Sequence, residues 1–325
     1  MKVLTLGISG SGKTTFAKQM KIITSGGFGE EEVKGHREIV IKNVLIGIQE
    51  LVKQAEKLEY HVEGENRKHC RFFTQMAVVE TEWNEKIAEK VKVLWQDAAI
   101  QKTWQAAPGF QLQMNHMDYF MDHLDRISSP DYVPTNEDVL RARQRTTGEQ
   151  STFFVFEKVG WHLIDVGGQR PERAKWESII TSKDSVNAII FFGALDEFNM
   201  ASTEETGKTK MEISIQVFHE LLHSETYTAR RNITLILFLN KLDLLTSKLN
   251  KEDDKKAFHN LFPSWDGTTD GACECVRLKF VEGFQEIPIR SHSICALDTS
   301  LMTTVFQEVR QTIFENRLLS SGVNV

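Results

Sequence analysis

Near its amino terminus the chain carries the segment GISGSGKT, Gly7 to Thr14, which matches the phosphate-binding pattern GxxxxGK[ST]. The segment follows a short apolar run and precedes residues with helical spacing, the context that such a loop requires. Its glycines let backbone N–H groups point inward, and the start of the following helix adds partial positive charge. The pattern predicts a site for nucleotide phosphates, although such loops serve kinases, ATPases and GTPases alike.

Single side chains in this loop have separate predicted tasks. Lys13 would neutralise the outer phosphates, and the Thr14 hydroxyl would coordinate Mg²⁺. A Gly/Ser-rich turn that binds nothing is the alternative, and the preceding strand together with Lys13 and Thr14 disfavours it. The residues that we predict to contact the nucleotide here are Gly10, Ser11, Gly12, Lys13, Thr14 and Thr15.

The choice of base is predicted by LNKLDLL, in which Asn240, Lys241 and Asp243 follow an apolar strand. The Asp243 carboxylate can accept two hydrogen bonds from guanine, whereas adenine offers it an acceptor at N1. A second base loop, SICALDTS, contains Cys295 and Ala296, and the Ala296 N–H could reach the guanine O6. A solvated Asn-Lys-Asp turn would explain the tetrapeptide alone, but its position after a strand and a phosphate loop favours guanine.

A third motif, LIDVGGQRPERAKW, begins as a strand and breaks at two glycines. We expect Asp165 to hold Mg²⁺ through a water, Gly168 to bring its N–H to the γ-phosphate, and Gln169 to orient an attacking water. Taken alone, the motif could be a Gly-Gly turn with a solvated glutamine. Trp176 in the same stretch is interpreted as a hydrophobic pivot or as a simple core residue.

The elements that must position these motifs are short β-branched runs bounded by turns. The second and third runs are separated by Gly160 alone, which predicts a hairpin, and helical patterns follow the others. The sequence thus predicts an α/β fold with a mostly parallel sheet and one antiparallel strand. The predicted strands are Val3–Leu6, Thr152–Val159, Trp161–Asp165, Asn187–Gly193, Ile233–Leu239 and Ile289–Ile294.

A long helical block interrupts this alternation between about Gly26 and Ser129, where apolar residues recur at helical spacing. The linkers TSGGFGE and SSPDYVPT bracket the block. We therefore predict one domain from residues 1–25 and 136–325, and an inserted all-helical domain at 26–135.

Composition excludes several classes of protein. The chain has 325 residues, 41% of them hydrophobic, and a net charge of −6 without a long run of like charge, so nucleic acid is not expected as a partner. The four cysteines have neither zinc-site nor disulfide-scaffold spacing, which fits a reducing cytosol. The sequence shows no secretory signal, no membrane-length apolar run, and no myristoylation or prenylation motif.

The motifs together resemble one family. DYVPTNEDVLRARQRTTG, DVGGQRPERAKW, LFLNKLDLL and CALDT look like the α subunit of heterotrimeric G proteins, and the resemblance covers nearly the whole chain. It implies a Ras-like P-loop GTPase domain with a mostly parallel six-stranded sheet and an inserted helical domain. It also implies GTP or GDP as the bound nucleotide, Mg²⁺ as cofactor, and hydrolysis of GTP to GDP.

The resemblance assigns further residues. Arg143 falls at the built-in arginine finger, for which this family is itself a standard example, and Thr146 falls at the switch-one Mg²⁺ ligand. Leu140 and Arg141 fall at positions that line the nucleotide. Asp125 resembles an acid near the base, with a plain solvated helix residue as the alternative.

Partners are implied in the same way. The carboxyl-terminal helix, Thr303 to about Leu319, resembles the one that contacts G protein-coupled receptors. A β/γ dimer, effectors and regulators of hydrolysis would contact the switch regions, although Glu177, Ser178 and Ile179 depart from the usual β/γ-contacting residues. We expect a cytoplasmic protein, peripheral at the inner face of the plasma membrane in its full-length form, with no anchor in this chain.

Two departures lie inside the phosphate loop. The family usually reads GAGESGKS, so Ser9 replaces a glycine and Gly10 replaces a glutamate. A side chain at Ser9 would point toward Gln169 and the attacking water, so we predict slow hydrolysis. The alternatives are a GTP-binding scaffold with very slow hydrolysis and, from a different class, a P-loop ATPase or small-molecule kinase.

Overall fold

The computed structural model describes residues 1–107, 112, 114, 116–181, 186–229 and 233–320. Contacts along the chain divide it into two compact units. The first unit comprises Met1–Gly27 and Arg145–Val325, and the second comprises Phe28–Gln144.

The strands all belong to the first unit and form one six-stranded sheet in the order β2-β3-β1-β4-β5-β6. β2 is antiparallel to β3, and the other neighbours are parallel. The predicted α/β fold with a mostly parallel sheet is confirmed. The strands are β1 (Lys2–Gly7), β2 (Glu149–Phe156), β3 (Val159–Val166), β4 (Ala188–Ala194), β5 (Thr234–Asn240) and β6 (Arg290–Ser293).

Some of the helices cover the sheet within the first unit, and others form the second unit. Those in the described residues are α1 (Lys13–Ser25), α2 (Glu30–Lys57), α3 (Asn66–Gln75), α4 (Glu85–Trp95), α5 (Ala98–Gln105), α6 (Met117–Asp122), α7 (Leu124–Ile127), α8 (Asn136–Arg141), α9 (Arg170–Arg173), α10 (Trp176–Thr181), α11 (Lys210–His223), α12 (Glu225–Thr228), α13 (Leu242–Leu249), α14 (Glu252–Leu261), α15 (Thr269–Phe280) and α16 (Thr299–Ser320). Val78–Glu80 and Leu195–Asn199 are short 3-10 helices.

The sheet is covered on both faces, as expected for parallel strands that are predominantly apolar. Every residue of β4 and β5 is buried. Leu4 and Phe191 pack on the face shared with α11 and α15. Phe192 and Phe238 pack on the opposite face against Phe16 of α1. The carboxyl ends of the parallel strands are thereby fixed at one edge, where the loops that carry the motifs begin.

The hairpin between β2 and β3 turns at a different place from the predicted one. Glu157 and Lys158 form the turn with φ of 47° and 65°, and Gly160 lies within β3. Two successive residues with positive φ give a turn whose twist matches that of the flanking strands. The placement at Gly160 was wrong because the Glu-Lys pair lacks the glycine or asparagine that usually marks such a turn.

The second unit is built around α2, which buries apolar residues along one face, among them Val44, Ile48 and Leu51. Asn136 to Gln144 belong to this unit, whereas the sequence analysis assigned them to the other domain. The reason is that α8 is anchored by Asp138, which accepts hydrogen bonds from Arg126 of α7 and Tyr119 of α6. The boundary therefore lies at 144/145 and not at 135/136.

The carboxyl-terminal helix of the described residues is longer than predicted. α16 begins at Thr299, four residues before the predicted start at Thr303, and its Phe306, Val309 and Ile313 are buried. Among the described residues, none of the helices has the length and apolar content needed to cross a membrane.

Candidate nucleotide site

The phosphate loop between β1 and α1 depends on glycine at specific positions. Gly7, Gly10 and Gly12 have φ of 139°, 87° and 104°, which side-chain-bearing residues rarely adopt. A Cβ at Gly7 would lie 2.4 Å from the Phe192 carbonyl oxygen, and one at Gly12 would lie 2.0 Å from Nδ2 of Asn240. A Cβ at Gly10 would meet only Glu197 Oε1, at 3.9 Å. Space as well as conformation therefore demands glycine at positions 7 and 12.

Lys13 is folded into the loop that it follows. Its Nζ donates to the Gly7 and Ile8 carbonyl oxygens at 2.8 and 3.0 Å, and its side chain is buried. Burial lowers the pKa of Lys13 to about 8, and the nearby carboxylates of Asp165 and Glu197 only partly offset this. The structure thus places a desolvated ammonium group inside the predicted phosphate cradle, where a phosphate would stabilise its charged form.

Three predicted metal ligands come together beside the loop. Thr14 Oγ1 donates to Asp165 Oδ2 at 2.7 Å and lies 2.8 Å from Thr146 Oγ1. Thr146 Oγ1 lies 3.4 Å from the same carboxylate oxygen, and Thr5 donates to the other at 3.2 Å. Hydroxyl and carboxylate oxygens are the donors that Mg²⁺ accepts. The residues present therefore fit a small divalent cation.

The DVGGQ motif runs past this cluster from the end of β3. A Cβ at Gly168 would lie 2.3 Å from the Gly7 carbonyl oxygen and 2.6 Å from Lys13 Nζ, so the backbone of Gly168 lies against the phosphate loop. Gln169, the next residue, is exposed at the start of α9. Trp176 is buried and donates from Nε1 to the Gly167 carbonyl at 3.2 Å, which gives it a core position and a bond to the motif.

A chain of contacts leads from this motif to the loop after β4. Arg173 Nε donates to the Gly168 carbonyl at 3.1 Å, and its guanidinium pairs with Glu204 at 2.6 Å. Glu172 accepts a hydrogen bond from the Gly148 N–H at 3.2 Å. These pairs were not predicted from the sequence. They connect the stretch after Gln169 to the loop at 200–209 and to the segment that follows Thr146.

On the base side, one side chain joins two motifs. Asn240 donates from Nδ2 to the Ser11 carbonyl at 2.8 Å and accepts from the Ala296 N–H at 3.0 Å. Asp243 is exposed near the start of α13, and burial together with this carboxylate raises the pKa of the Cys295 thiol to about 11. Cys295 therefore stays a neutral thiol beside Asp243. The phosphate loop and both predicted base loops meet at Asn240.

Sequence reasoning missed a buried ionic cluster beneath these loops. Lys241 adopts a left-handed backbone, with φ of 67°, and its Nζ lies 3.1 Å from Asp196 and 3.6 Å from Glu197. Burial lowers the pKa of Lys241, but the two carboxylates raise it by more, so the group stays charged. Lys248 donates to the Asp196 carbonyl at 2.6 Å. The available signal was a pair of acids at the carboxyl end of a parallel strand.

The remaining predicted residues belong to the second unit. The backbone of Arg143 is hydrogen-bonded to Asn43. Leu140 is buried, and Arg141 pairs with Glu137 and lies 4.4 Å above the Tyr119 ring. Asp125 is exposed and pairs with Lys92 at 2.8 Å, as a solvated helix residue would.

Comparisons with known proteins all identify the same family. The model of the family described as G-protein alpha subunit matches residues 1–313. The alpha-2 subunit of a guanine nucleotide-binding protein from Dictyostelium discoideum is 32% identical, over 99% of this chain and 91% of the relative. The alpha-3 subunit from Ustilago hordei is 36% identical, over 99% and 90%. An alpha subunit from Cryptococcus neoformans is 34% identical, over 99% and 74%.

Proposed function

The chain belongs to the family of G-protein alpha subunits, and from that premise we propose how its own residues bind, hydrolyse and report GTP. It is a guanine nucleotide-binding signal transducer and a GTPase. The observation that carries the proposal is the position of Asn240, whose side chain bonds both Ser11 in the phosphate loop and Ala296 in the base loop. This one amide holds the phosphate-binding and base-binding segments in a fixed relation.

The phosphates are held by the loop from Gly10 to Thr15. Lys13 exchanges its carbonyl partners for phosphate oxygens, and this exchange recovers the full charge that burial now disfavours. The backbone N–H groups at the start of α1 supply the remaining donors. Gly168, which already lies against Gly7, carries the N–H that we assign to the γ-phosphate.

Mg²⁺ is the cofactor that this site fits. Thr14, Thr146 and Asp165 would hold it, Asp165 through a water. When bound, Mg²⁺ supplies positive charge that balances the outer phosphates. The hydrogen bonds that now join the three side chains keep their oxygens together, so little rearrangement of side chains is required.

Guanine is selected at the other end of the site. Asp243 accepts hydrogen bonds from the guanine N1–H and N2–H, and the segment at Cys295 and Ala296 faces the base. The Ala296 N–H itself donates to Asn240 Oδ1 and is therefore not assigned to the guanine O6, as the sequence had suggested. Lys241 is fixed by Asp196 and Glu197, and this keeps the loop between β5 and α13 in one conformation. Adenine would present an acceptor to Asp243 and leave that carboxylate unpaired.

Two residues are assigned to hydrolysis. Gln169 orients the attacking water, and Arg143 stabilises charge that develops on the phosphate oxygens. Leu140 and Arg141 are proposed to line the nucleotide by resemblance to the family. For Asp125 the exposed pair with Lys92 favours the alternative role of a solvated helix residue. We propose that turnover is slow, because Ser9 stands where the family has glycine, and in the extreme the chain would act as a GTP-binding scaffold.

The state of the nucleotide is reported through the segments that contact it. Loss of the γ-phosphate removes the partner of Gly168, and Arg173 links the carbonyl of that residue to Glu204 in the loop at 200–209. Effectors, regulators of hydrolysis and a β/γ dimer would read these segments. A G protein-coupled receptor would contact α16, which places the protein peripherally at the inner face of the plasma membrane.

A competition experiment tests this function. The chain is loaded with labelled GTP in Mg²⁺, and excess unlabelled GTP, ATP or GDP is added. We expect GTP and GDP to displace the label and ATP to leave it bound, and we expect Asp243→Asn to weaken GTP binding while the exposed control Asp253→Asn does not. Displacement by ATP as effective as that by GTP would contradict the proposal and favour a P-loop ATPase or kinase.

A further inference from the structure

Asn43 and Arg143 form a two-point contact in the second unit. The Arg143 N–H donates to Asn43 Oδ1 at 2.6 Å, and Asn43 Nδ2 donates to the Arg143 carbonyl at 3.0 Å. One side-chain amide therefore satisfies both backbone groups of the same residue. Residues 142 to 147 have no regular secondary structure. The hydrogen bonds of a helix or a sheet therefore do not satisfy the backbone N–H and C=O groups of Arg143, and Asn43 provides their partners.

The position of Asn43 within α2 is unusual for a polar residue. It lies between Ile41 and Val44 on the buried side of the helix and is 5% exposed. An asparagine is a weaker helix former than leucine or alanine, and burying its amide is costly unless its hydrogen bonds are made. Here they are made to Arg143, two residues beyond the end of α8.

The same segment is also fixed at its other end. Asp138, which is fully buried, accepts two hydrogen bonds from the Arg126 guanidinium at 2.7 and 2.8 Å and one from the Thr135 N–H at 2.7 Å. The Thr135 hydroxyl accepts in turn from the Asp138 N–H, which closes a capping box. Between Asp138 and Asn43 the short stretch that ends at Arg143 has little freedom to shift.

We propose that Asn43 is a positioning residue for GTP hydrolysis: it holds the backbone of Arg143 so that the guanidinium starts from a fixed point on the helical unit. The inference rests on the proposed catalytic role of Arg143. Placement to within fractions of an ångström governs such a step, and a shift of about 1 Å can cost about a hundredfold in rate. Asn43 itself is assigned no contact with the nucleotide.

Gln49 provides a matched control on the same helix. Its Nε2 donates to the Phe73 and Met76 carbonyl oxygens at 2.7 and 3.0 Å, so Gln49→Ala also removes two side-chain bonds to backbone within the second unit. Those bonds hold the end of α3 and not the Arg143 segment. A general loosening of the helical unit would therefore affect both variants, and a loss of positioning would affect only Asn43→Ala.

The experiment measures single-turnover GTP cleavage per bound GTP in saturating Mg²⁺, together with GTP dissociation, on the full chain. We expect Asn43→Ala to cleave about tenfold to a hundredfold more slowly than the unmodified chain, and Gln49→Ala to stay within about twofold. Asn43→Asp keeps the acceptor for the Arg143 N–H and loses the donor, so its rate should be intermediate. Asn43→Ala added to Arg143→Ala should cause no further slowing, and dissociation should change far less than cleavage.

Three results would overturn the inference while leaving the proposed function intact. One is a normal cleavage rate in Asn43→Ala when Arg143→Ala is slow. The second is equal slowing in Asn43→Ala and Gln49→Ala, and the third is additive slowing in the double variant; either would indicate general destabilisation. If Arg143→Ala itself cleaves at the normal rate, the proposed role of the arginine fails and the inference fails with it.

Discussion

Gly12 and Asn240 are packed so closely that a Cβ on the glycine would lie 2.0 Å from the asparagine Nδ2. The same Nδ2 donates to the Ser11 carbonyl at 2.8 Å, so the asparagine cannot move away without losing that bond. The phosphate loop and the strand that carries the guanine motif are thus fitted to one another. This contact explains why the loop requires glycine immediately before Lys13, beyond the need for positive φ.

Gly12→Ala should therefore be much more damaging than Gly10→Ala. Both glycines have positive φ, so both substitutions carry about 1–3 kcal/mol of backbone strain. Only Gly12→Ala also forces a contact with Asn240, which adds about 1–3 kcal/mol. Chemical unfolding and GTP binding measure the two variants side by side, and equal loss of stability would show that the contact with Asn240 is unimportant.

Hydrolysis should respond to the side chain at position 9. Ser9→Gly restores the residue usual in the family and should speed single-turnover cleavage by about tenfold, because it removes an obstacle near the water that Gln169 orients. Ser9→Thr, which adds a methyl group at the same place, should be slower than the unmodified chain. The account of slow turnover is wrong if Ser9→Gly cleaves no faster.

GTP affinity should fall as the pH rises through about 8. Burial lowers the pKa of Lys13 in the free protein to about 8, and bound phosphates favour the charged form and raise that pKa. Binding above pH 8 must therefore take up a proton, so it weakens as the pH increases, whereas below pH 8 this dependence is absent. The measurement is GTP affinity between pH 6.5 and about 9.5.

Lys13→Arg is the control for this effect, because arginine stays protonated over the whole range. The GTP affinity of Lys13→Arg should not fall as the pH rises above 8, whatever the absolute value of that affinity. A fall in affinity of the same size in both proteins would assign the titration to another group.

The second unit should depend strongly on the pair formed by Arg126 and Asp138. The hydrogen bonds from Arg126, Thr135 and Tyr119 outweigh the effect of burial and hold the pKa of Asp138 at about 2. Arg126→Ala would leave a buried carboxylate without its main partner and should cost about 3 kcal/mol, near the lower end for such a loss because the arginine is partly exposed.

Lys92→Ala removes a different ion pair of the same unit and serves as the comparison. Lys92 and Asp125 are both exposed, so we expect no measurable change in unfolding. The contribution of Asp138 should be present above its unfolded pKa, near 3.8, and should be lost as the pH falls toward 2. Similar effects of Arg126→Ala and Lys92→Ala would contradict this distinction.

The fold could be predicted from the sequence where a local pattern of residues is enough to determine the local structure. The apolar runs of β4 and β5 could be read as buried strands, and GISGSGKT identified the loop at the end of β1. The turn at Glu157 and Lys158 was missed, because neither residue usually indicates positive φ. The boundary at residue 145 was missed because the contacts of Asp138 with Arg126 and Tyr119 arise only from tertiary packing.

In the site, too, the residues in sequence motifs could be predicted, and the residues placed by tertiary packing could not. Thr14, Thr146 and Asp165 were predicted as a set, and the structure brings their oxygens together. Asp196 and Glu197 were not predicted, because two acids after a strand are most often solvated, and only burial against Lys241 reveals their role. Sequence motifs therefore indicated the residues that the structure brings together beside the phosphate loop better than the buried residues that support them.

The central claim is that this chain hydrolyses GTP with Gln169 and Arg143 acting on a phosphate held by the Lys13 loop. Its most direct test is the rate of single-turnover cleavage of bound GTP at saturating Mg²⁺, measured for the unmodified chain, Gln169→Leu and Arg143→Ala. The account predicts that both variants still bind GTP and that each cleaves it at least about tenfold more slowly. Cleavage at the normal rate in both variants would contradict it.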